Sequence, residues 1–340
     1  MRFSPFLARP ASVSRIMLYV LGALLPGLAV YVHFYGAGIL LQIGLATAAC
    51  YLFEATCLHL RRVALRPFLL DGSALVTAWL IALSLPSLAP WWLVVVASFF
   101  AIVVAKHLYG GLGNNVFNPA MVGFAVVIVS FPAQLSQWAA PHGPLSAMEQ
   151  FRYILTRELP GGMSFDAIAQ ATPLDFLKTQ LAAGHDLLVS GTSPIFGLLA
   201  GVGSEWVALA WLAGGLALLA ARVISWQAPV ALLATLGLLS GLFHQIDPAR
   251  YASPVLHLFA GATMLGAWFI ATDPVSGSTT PRGKLVFGAG AGLCLWVIRT
   301  FGSFPDAMAF SVLMMNMAVP LIDRYTQPPV FGHKTARGRP

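Results

Sequence analysis

Long uncharged runs of apolar residues recur from one end of the chain to the other, and few folds can accommodate them. Ten such segments can be drawn, at about 16–35, 38–58, 70–86, 91–106, 118–138, 205–221, 227–246, 254–272, 283–300 and 304–323. A helix needs roughly 20 residues to cross a bilayer, so segments of this length read as membrane helices. Composition agrees: 58% of the 340 residues are hydrophobic, only 9% are charged, and the mean hydropathy is +0.79. Soluble domains carry about 25% charged residues. The expected fold class is therefore an all-α integral membrane protein with about ten transmembrane helices.

The net charge of +7 does not indicate a nucleic-acid partner. The basic residues lie between hydrophobic runs rather than in a stripe interleaved with exposed aromatics, and the partner they imply is membrane lipid. If the N-terminus is cytoplasmic, fourteen Lys and Arg fall on inner loops and ends, Arg61, Arg62, Arg66 and Lys106 among them. Five fall outside: Arg152, Arg157, Lys178, Arg250 and Arg299. The positive-inside rule then places both termini inside. The first apolar run is as long as a span and lacks a cleavage site, so it reads as an uncleaved helix. Cys50, Cys57 and Cys294 all lie in apolar segments without a C-x-x-C pair, so no disulfide, iron–sulfur or other metal site is expected. His244 and His257 fall on different segments and do not suggest haem.

The second half echoes the first. Gly72-Ser73-Ala74 through Ala82 resembles Gly261-Ala262-Thr263 through Ala271, and Phe117-Asn118-Pro119-Ala120-Met121 resembles Phe304-Pro305-Asp306-Ala307-Met308. Five spans per half is an odd number, so the halves would be inverted, an architecture common among transporters. The expected organisation is a first five-helix repeat over 1–138, an outer-face loop over 139–204, a second repeat over 205–323 and a cytoplasmic tail over 324–340. The 183–203 piece is too polar to span and reads as interfacial.

Three polar stretches interrupt the apolar pattern. Gly161 to Thr179 is long, polar and punctuated by Gly and Pro. Pro173 biases Thr172 toward an extended backbone, which would leave its hydroxyl projecting outward. Lys106 to Ala120 is rich in Gly and Asn, either a tight inner turn or a broken helix facing a cofactor or ion path, because irregular backbone at membrane depth must be buried in protein or line a cavity. Thr272 to Lys284 places hydroxyls and glycines ahead of Arg282 and Lys284, either to hold an anion or ribityl-type chain or as a simple Asp/Pro turn before a helix. Ionisable residues within spans are functional candidates by default: Glu54, Glu205, Asp306 and Asp323, with Arg299 a potential partner. No catalytic triad, Walker loop or dinucleotide fingerprint occurs, so no catalytic residue is assigned and any chemistry would fall to a cofactor.

Several of these stretches together resemble a known family. DGSALVTAWLIALSLP (71–86), KHLYGGLGNNVFNPAMVGFAVV (106–127), ATPLD (171–175), GSEW (203–206), FIATDPVSGSTTPRGKLVFG (269–288), RTFGSFPDAMAFSVLMMNMAVPLID (299–323) and Phe331-Gly332-His333 are similar to the D subunits of Rnf-type electron-transport complexes. The resemblance is collinear over about residues 15–333, with the B subunits of sodium-pumping NADH:quinone reductases a second match. It implies a bacterial inner-membrane flavoprotein that couples ferredoxin/NAD electron transfer to Na⁺ or H⁺ movement as one part of a complex. The A, B, C, E and G subunits of that complex would be its partners. It also implies that Thr172 carries FMN as a phosphoester, installed on the outer face by a flavin transferase. Related motifs often read Ser-Gly-Ala-Thr, whereas Gln170 precedes Ala171-Thr172 here. A second, noncovalent flavin such as riboflavin would be sought at Gly111, Asn115, Asn118, Asp273, Ser276 and Thr279, and an ion path at Glu54 and Asp306. The rival from another class is an inverted-repeat solute channel or transporter with no redox role.

Overall fold

A computed structural model describes residues 12–187, 193–304 and 306–328. Pro305, residues 188–192 of the interfacial piece, Phe331-Gly332-His333 and the tail from 329 onward lie outside the described residues. The chain is an all-α membrane protein: apart from one pair of two-residue strands, every regular element among the described residues is helical. Each of the ten apolar segments contains helix. Four of these helices, Val13–Tyr35, Gly38–Leu60, Gln227–Ile246 and Pro281–Phe301, are long and apolar enough to cross a membrane. Others are short. Ser73–Ser84 and Pro119–Ser130 have 12 residues each, a reach of about 18 Å at 1.5 Å per residue against a hydrocarbon layer of about 30 Å. The remainder of any crossing at these positions is non-helical backbone, which has to be satisfied by the protein itself.

Two helices change their winding. Trp91–Phe99 continues as a π-helix over Phe100–His107, and Thr263–Leu265 continues as one over Gly266–Ile270. The wider turns, closed by bonds such as Leu108 N–H to Val103 O and Ala271 N–H to Gly266 O, shift the register of the last side chains. At the end of the first, Lys106 and His107 are both buried. Lys106 is thus an interior residue rather than the loop charge expected from its place beside Gly110-Gly111.

The halves meet through corresponding segments. Val13–Tyr35 packs along Ser204–Ala220, and Pro119–Ser130 packs on Met308–Thr326. Within the second half, Gln227–Ile246 and Pro281–Phe301 form the most extensive helix pair. Their closeness depends on Gly288 and Gly292, where an added Cβ would run into the carbonyls of Ala228 and Leu232. Small residues four apart on one face let backbones approach in this way.

The 139–204 stretch is more structured than a loop. Trp138–Ala139 pairs antiparallel with Ala169–Gln170. Ala147–Thr156 is a helix begun by a capping box between Ser146 and Glu149, the reciprocal pattern that satisfies two free donors at once. Leu88, Ala139, Leu145, Tyr153 and Ile168 form a separate small core beneath it. Gln150 ties this unit to the membrane helices by accepting from Gly38 N–H at 2.7 Å.

Replacing Gly288 or Gly292 with leucine is expected to cost about 1–3 kcal/mol or more through overpacking. It should be read as a lowered thermal midpoint of the purified chain in detergent, with alanine at the exposed and uncrowded Gly44 as the neutral comparison.

Candidate functional site

Thr172 is extended, as its place before proline requires (φ −68°, ψ 156°), but its hydroxyl does not project freely outward. It is the N-cap of the Pro173–Ala182 helix, and Oγ1 accepts from Asp175 N–H at 3.2 Å. The sequence supplies all three parts of this start: a hydroxyl residue at the cap, proline in the first turn and Asp175 near the positive end of the helix. Leu174 and Leu177 anchor the helix by burial. Thr172 itself is half-buried and borders a cavity of about 200 Å³ between the two halves. Tyr31, Phe124, Trp138, Trp211 and Met308 give that cavity an aromatic and apolar wall, and Asp306 lies at its edge.

A second cavity, of about 400 Å³, brings together the two other polar stretches. Asn115 and Asn118 line it from one side, and Asp273 and Thr279 from the other. Asn118 caps the helix beginning at Pro119 by accepting from Met121 N–H at 3.2 Å, and its Nδ2 donates to Asp273 Oδ2 at 3.4 Å. The Asp273 turn is tied inward as well, since Ser276 Oγ donates to Asp273 Oδ2 at 2.6 Å. Asn316 bridges the stretches, accepting from Asn118 N–H at 3.1 Å and donating to Ser276 O at 2.9 Å. Ser276 therefore supports the site from behind instead of lining it. Gly111 stands apart, beside the Arg61 guanidinium. Each stretch is a turn leading into a helix, and each faces the cavity. The buried Trp268 Nε1 has no hydrogen-bond partner among the described residues, and Trp268 lines this cavity. Its volume falls in the range usual for small-ligand sites.

Glu54 and Asp306 are each met by a buried cation. Lys106 Nζ lies 2.9 and 2.8 Å from the two Glu54 oxygens and 2.9 Å from Ser73 Oγ. His107 Nε2 is 3.2 Å from Glu54 Oε2, and His107 Nδ1 is 3.2 Å from Arg61 Nη1. The ring sits near the carboxylate without the alignment of a good hydrogen bond, so Lys106 is the partner that neutralises Glu54. Arg299 Nη2 lies 3.0 Å from Asp306 Oδ1, the pairing expected of these two residues, and also donates to Ala260 O at 3.3 Å. The other two acidic candidates hold turns in place, Glu205 a neighbouring one and Asp323 a distant one. Glu205 accepts from the N–H groups of Leu198, Leu199 and Ala200, and Asp323 accepts from Ser278 and Thr279. Among the described residues, no three His, Cys, Asp or Glu gather as a metal site.

The sequence echo has a structural counterpart. Gly72 (φ +81°) and Gly261 (φ +63°) both turn the backbone left-handed just before a short helix. Each turn has a carboxylate accepting from the backbone that follows, Asp71 from Ser73 N–H and Asp306 from Ala262 N–H. Each also has a buried cation, Lys106 at Ser73 and Arg299 at Ala260. The NQR2, RnfD, RnfE family model matches residues 1–332. The chain belongs to that family. Among its relatives, the D subunit of the ion-translocating oxidoreductase complex of Salmonella typhimurium (strain LT2) is 49% identical over 343 residues, covering 97% of each chain. The protein of the same name from Escherichia coli (strain SMS-3-5) is 48% identical with the same coverage.

Glu54→Gln alone strands the buried Lys106 charge, and Lys106→Met alone strands the buried Glu54 charge. Each is expected to lower stability by about 3–5 kcal/mol. The double variant should recover most of that loss, which a set of thermal melts of the four proteins would measure.

Proposed function

We propose that this chain is the D subunit of an Rnf-type ion-translocating oxidoreductase complex in a bacterial inner membrane, and that it carries electrons on FMN esterified to Thr172. The carrying observation is the position of Thr172. Its hydroxyl oxygen lies at the N-terminus of a helix and at the rim of an aromatic-walled cavity between the halves, in a chain of the family whose relatives bear that name. A phosphate at a helix N-terminus is favoured by the unpaired N–H groups and the helix dipole. Leu174 and Leu177 hold that helix start against the protein, so a group tethered there would be confined near the cavity. Flavin, when bound, supplies a carrier of one or two electrons, and the protein's task is to position it.

The same reading places both termini in the cytoplasm and Thr172 on the outer face, following the asymmetry of the basic residues. The halves are read as inverted five-helix repeats, supported by the matched packing of first on first and last on last segments and by the paired Gly72 and Gly261 turns. The A, B, C, E and G subunits would supply the ferredoxin and nicotinamide chemistry, and a flavin transferase the ester. The second cavity is the proposed seat of a noncovalent flavin such as riboflavin. Asn115, Asn118, Asp273 and Thr279 would meet its polar groups, and Ser276 would hold the Asp273 turn. Glu54 and Asp306 are proposed to lie along the ion path, their cationic partners setting the charge that a passing Na⁺ or H⁺ meets.

Coexpression with the flavin transferase tests the central claim. Flavin fluorescence of the denatured wild-type band, absent in Thr172→Ala, is the expected result. A dark wild-type band beside an active control substrate would favour the channel or transporter reading. For the second site, Asn118→Leu with Asp273→Asn is expected to remove most of the flavin that denaturation releases, while leaving the covalent fluorescence in place. Unchanged released flavin would reject that cavity as its seat.

A further inference from the structure

Two histidines meet where the Val13–Tyr35 helix ends. His33 occupies the last turn of that helix, and His142 lies in the turn that follows the Trp138–Ala139 strand. Their ring centres are 5.6 Å apart, with the planes at 85°. Both residues are exposed, so the rings can be reached from solvent. Among the described residues neither ring makes a hydrogen bond, which leaves the imidazole nitrogens of both available to a ligand.

Phe34 fixes the two relative to each other. Its carbonyl accepts from His142 N–H at 2.6 Å, and its ring packs 5.0 Å from each imidazole. That ring is itself wedged against the turn before Ser204–Ala220, where a Cβ on Gly203 would come within 3.0 Å of it. His142 adopts φ +52°. Pro141 and His142 are the two turn residues, positions at which proline and then glycine or asparagine are usual, and Gly143 comes one residue too late to serve. A histidine thus holds a left-handed position that glycine would fill without strain, and outliers of this kind gather at functional sites.

A metal–imidazole bond of about 2.0–2.1 Å puts each ring centre about 3.2 Å from the ion, so two rings at the tetrahedral angle have centres about 5.2 Å apart. The observed separation comes within reach of that value when the exposed His33 side chain turns. We propose that His33 and His142 together bind one divalent transition ion of the zinc class, with water completing its coordination. Paired imidazoles select Zn²⁺, Ni²⁺ or Cu²⁺ over Mg²⁺ and Ca²⁺, which take oxygen ligands. Two ligands so far apart along the chain form no motif, so residue spacing gives no sign of them. Trp138, Ala139 and Pro141 from the segment of His142, and Tyr35 from that of His33, line the cavity under Thr172. The ion would pin the His142 turn to the first helix and hold this part of the cavity wall, whether or not Thr172 carries flavin.

Titration of the full chain in detergent with Zn²⁺ tests this, using protein purified through a tag without histidines and a colorimetric Zn²⁺ indicator as competitor. One ion per chain is expected, displaced by Ni²⁺ but not by about a hundredfold excess of Mg²⁺. His33→Gln and His142→Asn should each weaken binding at least about tenfold, the lower end of what even a supporting residue of a metal site contributes. Asparagine suits a left-handed turn, so His142→Asn should melt as the metal-free wild type does. His185→Gln, at an exposed histidine elsewhere, should bind as wild type. Zn²⁺ should also raise the thermal midpoint of the wild type, and of neither variant at the same concentration, because binding to the folded state alone stabilises it. Absence of saturable binding overturns the proposal. So does full affinity in either variant, or loss of the ion in His185→Gln.

Discussion

Backbone that leaves the helix inside an apolar protein must find its hydrogen bonds within the protein, and most of the polar architecture follows from that requirement. The chain leaves helix at 85–90, 108–118, 260–262 and 271–280, and at each place a side chain from another element meets the exposed carbonyls. Gln42 donates to Ala89 O at 2.6 Å, Arg61 to Gly110 O at 2.9 Å, Arg299 to His257 and Ala260, and Asn316 to Ser276. These long-range bonds fix the breaks relative to one another. The cavities form beside them because a broken helix fills less space than a continuous one and cannot be covered by simple side-chain packing.

The apolar pattern is sufficient to place helix in all ten segments, since period and length are local properties. It also marks out the two stretches that converge at the second cavity, because Gly, Asn and Asp at membrane depth have few structural uses. Side-chain direction is less legible. Lys106 reads as a loop cation beside two glycines, and only the widened π-turns carry it inward to Glu54, 52 residues earlier. The Thr172 hydroxyl reads as free, yet the helix begins at the very next residue and draws it into a cap. The 139–204 stretch reads as loop because its two-residue strands are too short for any alternation to show, although Ser146 and Glu149 spell a capping box. Gly111 shares the composition of the second site but not its location, since composition says nothing about which glycine faces which neighbour. Asn316 lies within an ordinary apolar run, and nothing but its isolated polarity there could have flagged it.

The pair Arg299–Asp306 stands between the cavity under Thr172, which Asp306 borders, and a further cavity behind the Pro173–Ala182 helix, which Arg299 lines. Leu174 borders both. Gly261 leaves room for all three, as a Cβ there would collide with Asp306, Leu174 and Arg299. One small residue at a left-handed turn thus lets a helix start, an ion pair and a chain break occupy the same few ångströms.

The two ion pairs differ in how far apart along the chain their partners lie. Arg299 and Asp306 are 7 residues apart, whereas Glu54 and Lys106 are separated by 52. A lone charge at the centre of an inserting helix costs about 2.5–3.5 kcal/mol on the biological scale. In the second half, cation and anion emerge from the ribosome almost together and can neutralise each other in one hairpin. In the first half, the Glu54 helix is synthesised well before Lys106 exists, and its carboxylate has no cation until the Trp91–His107 helix arrives. Biogenesis of that half therefore favours holding the early helices at the insertion machinery until the later one joins them, so that they pass into lipid as a group rather than one by one.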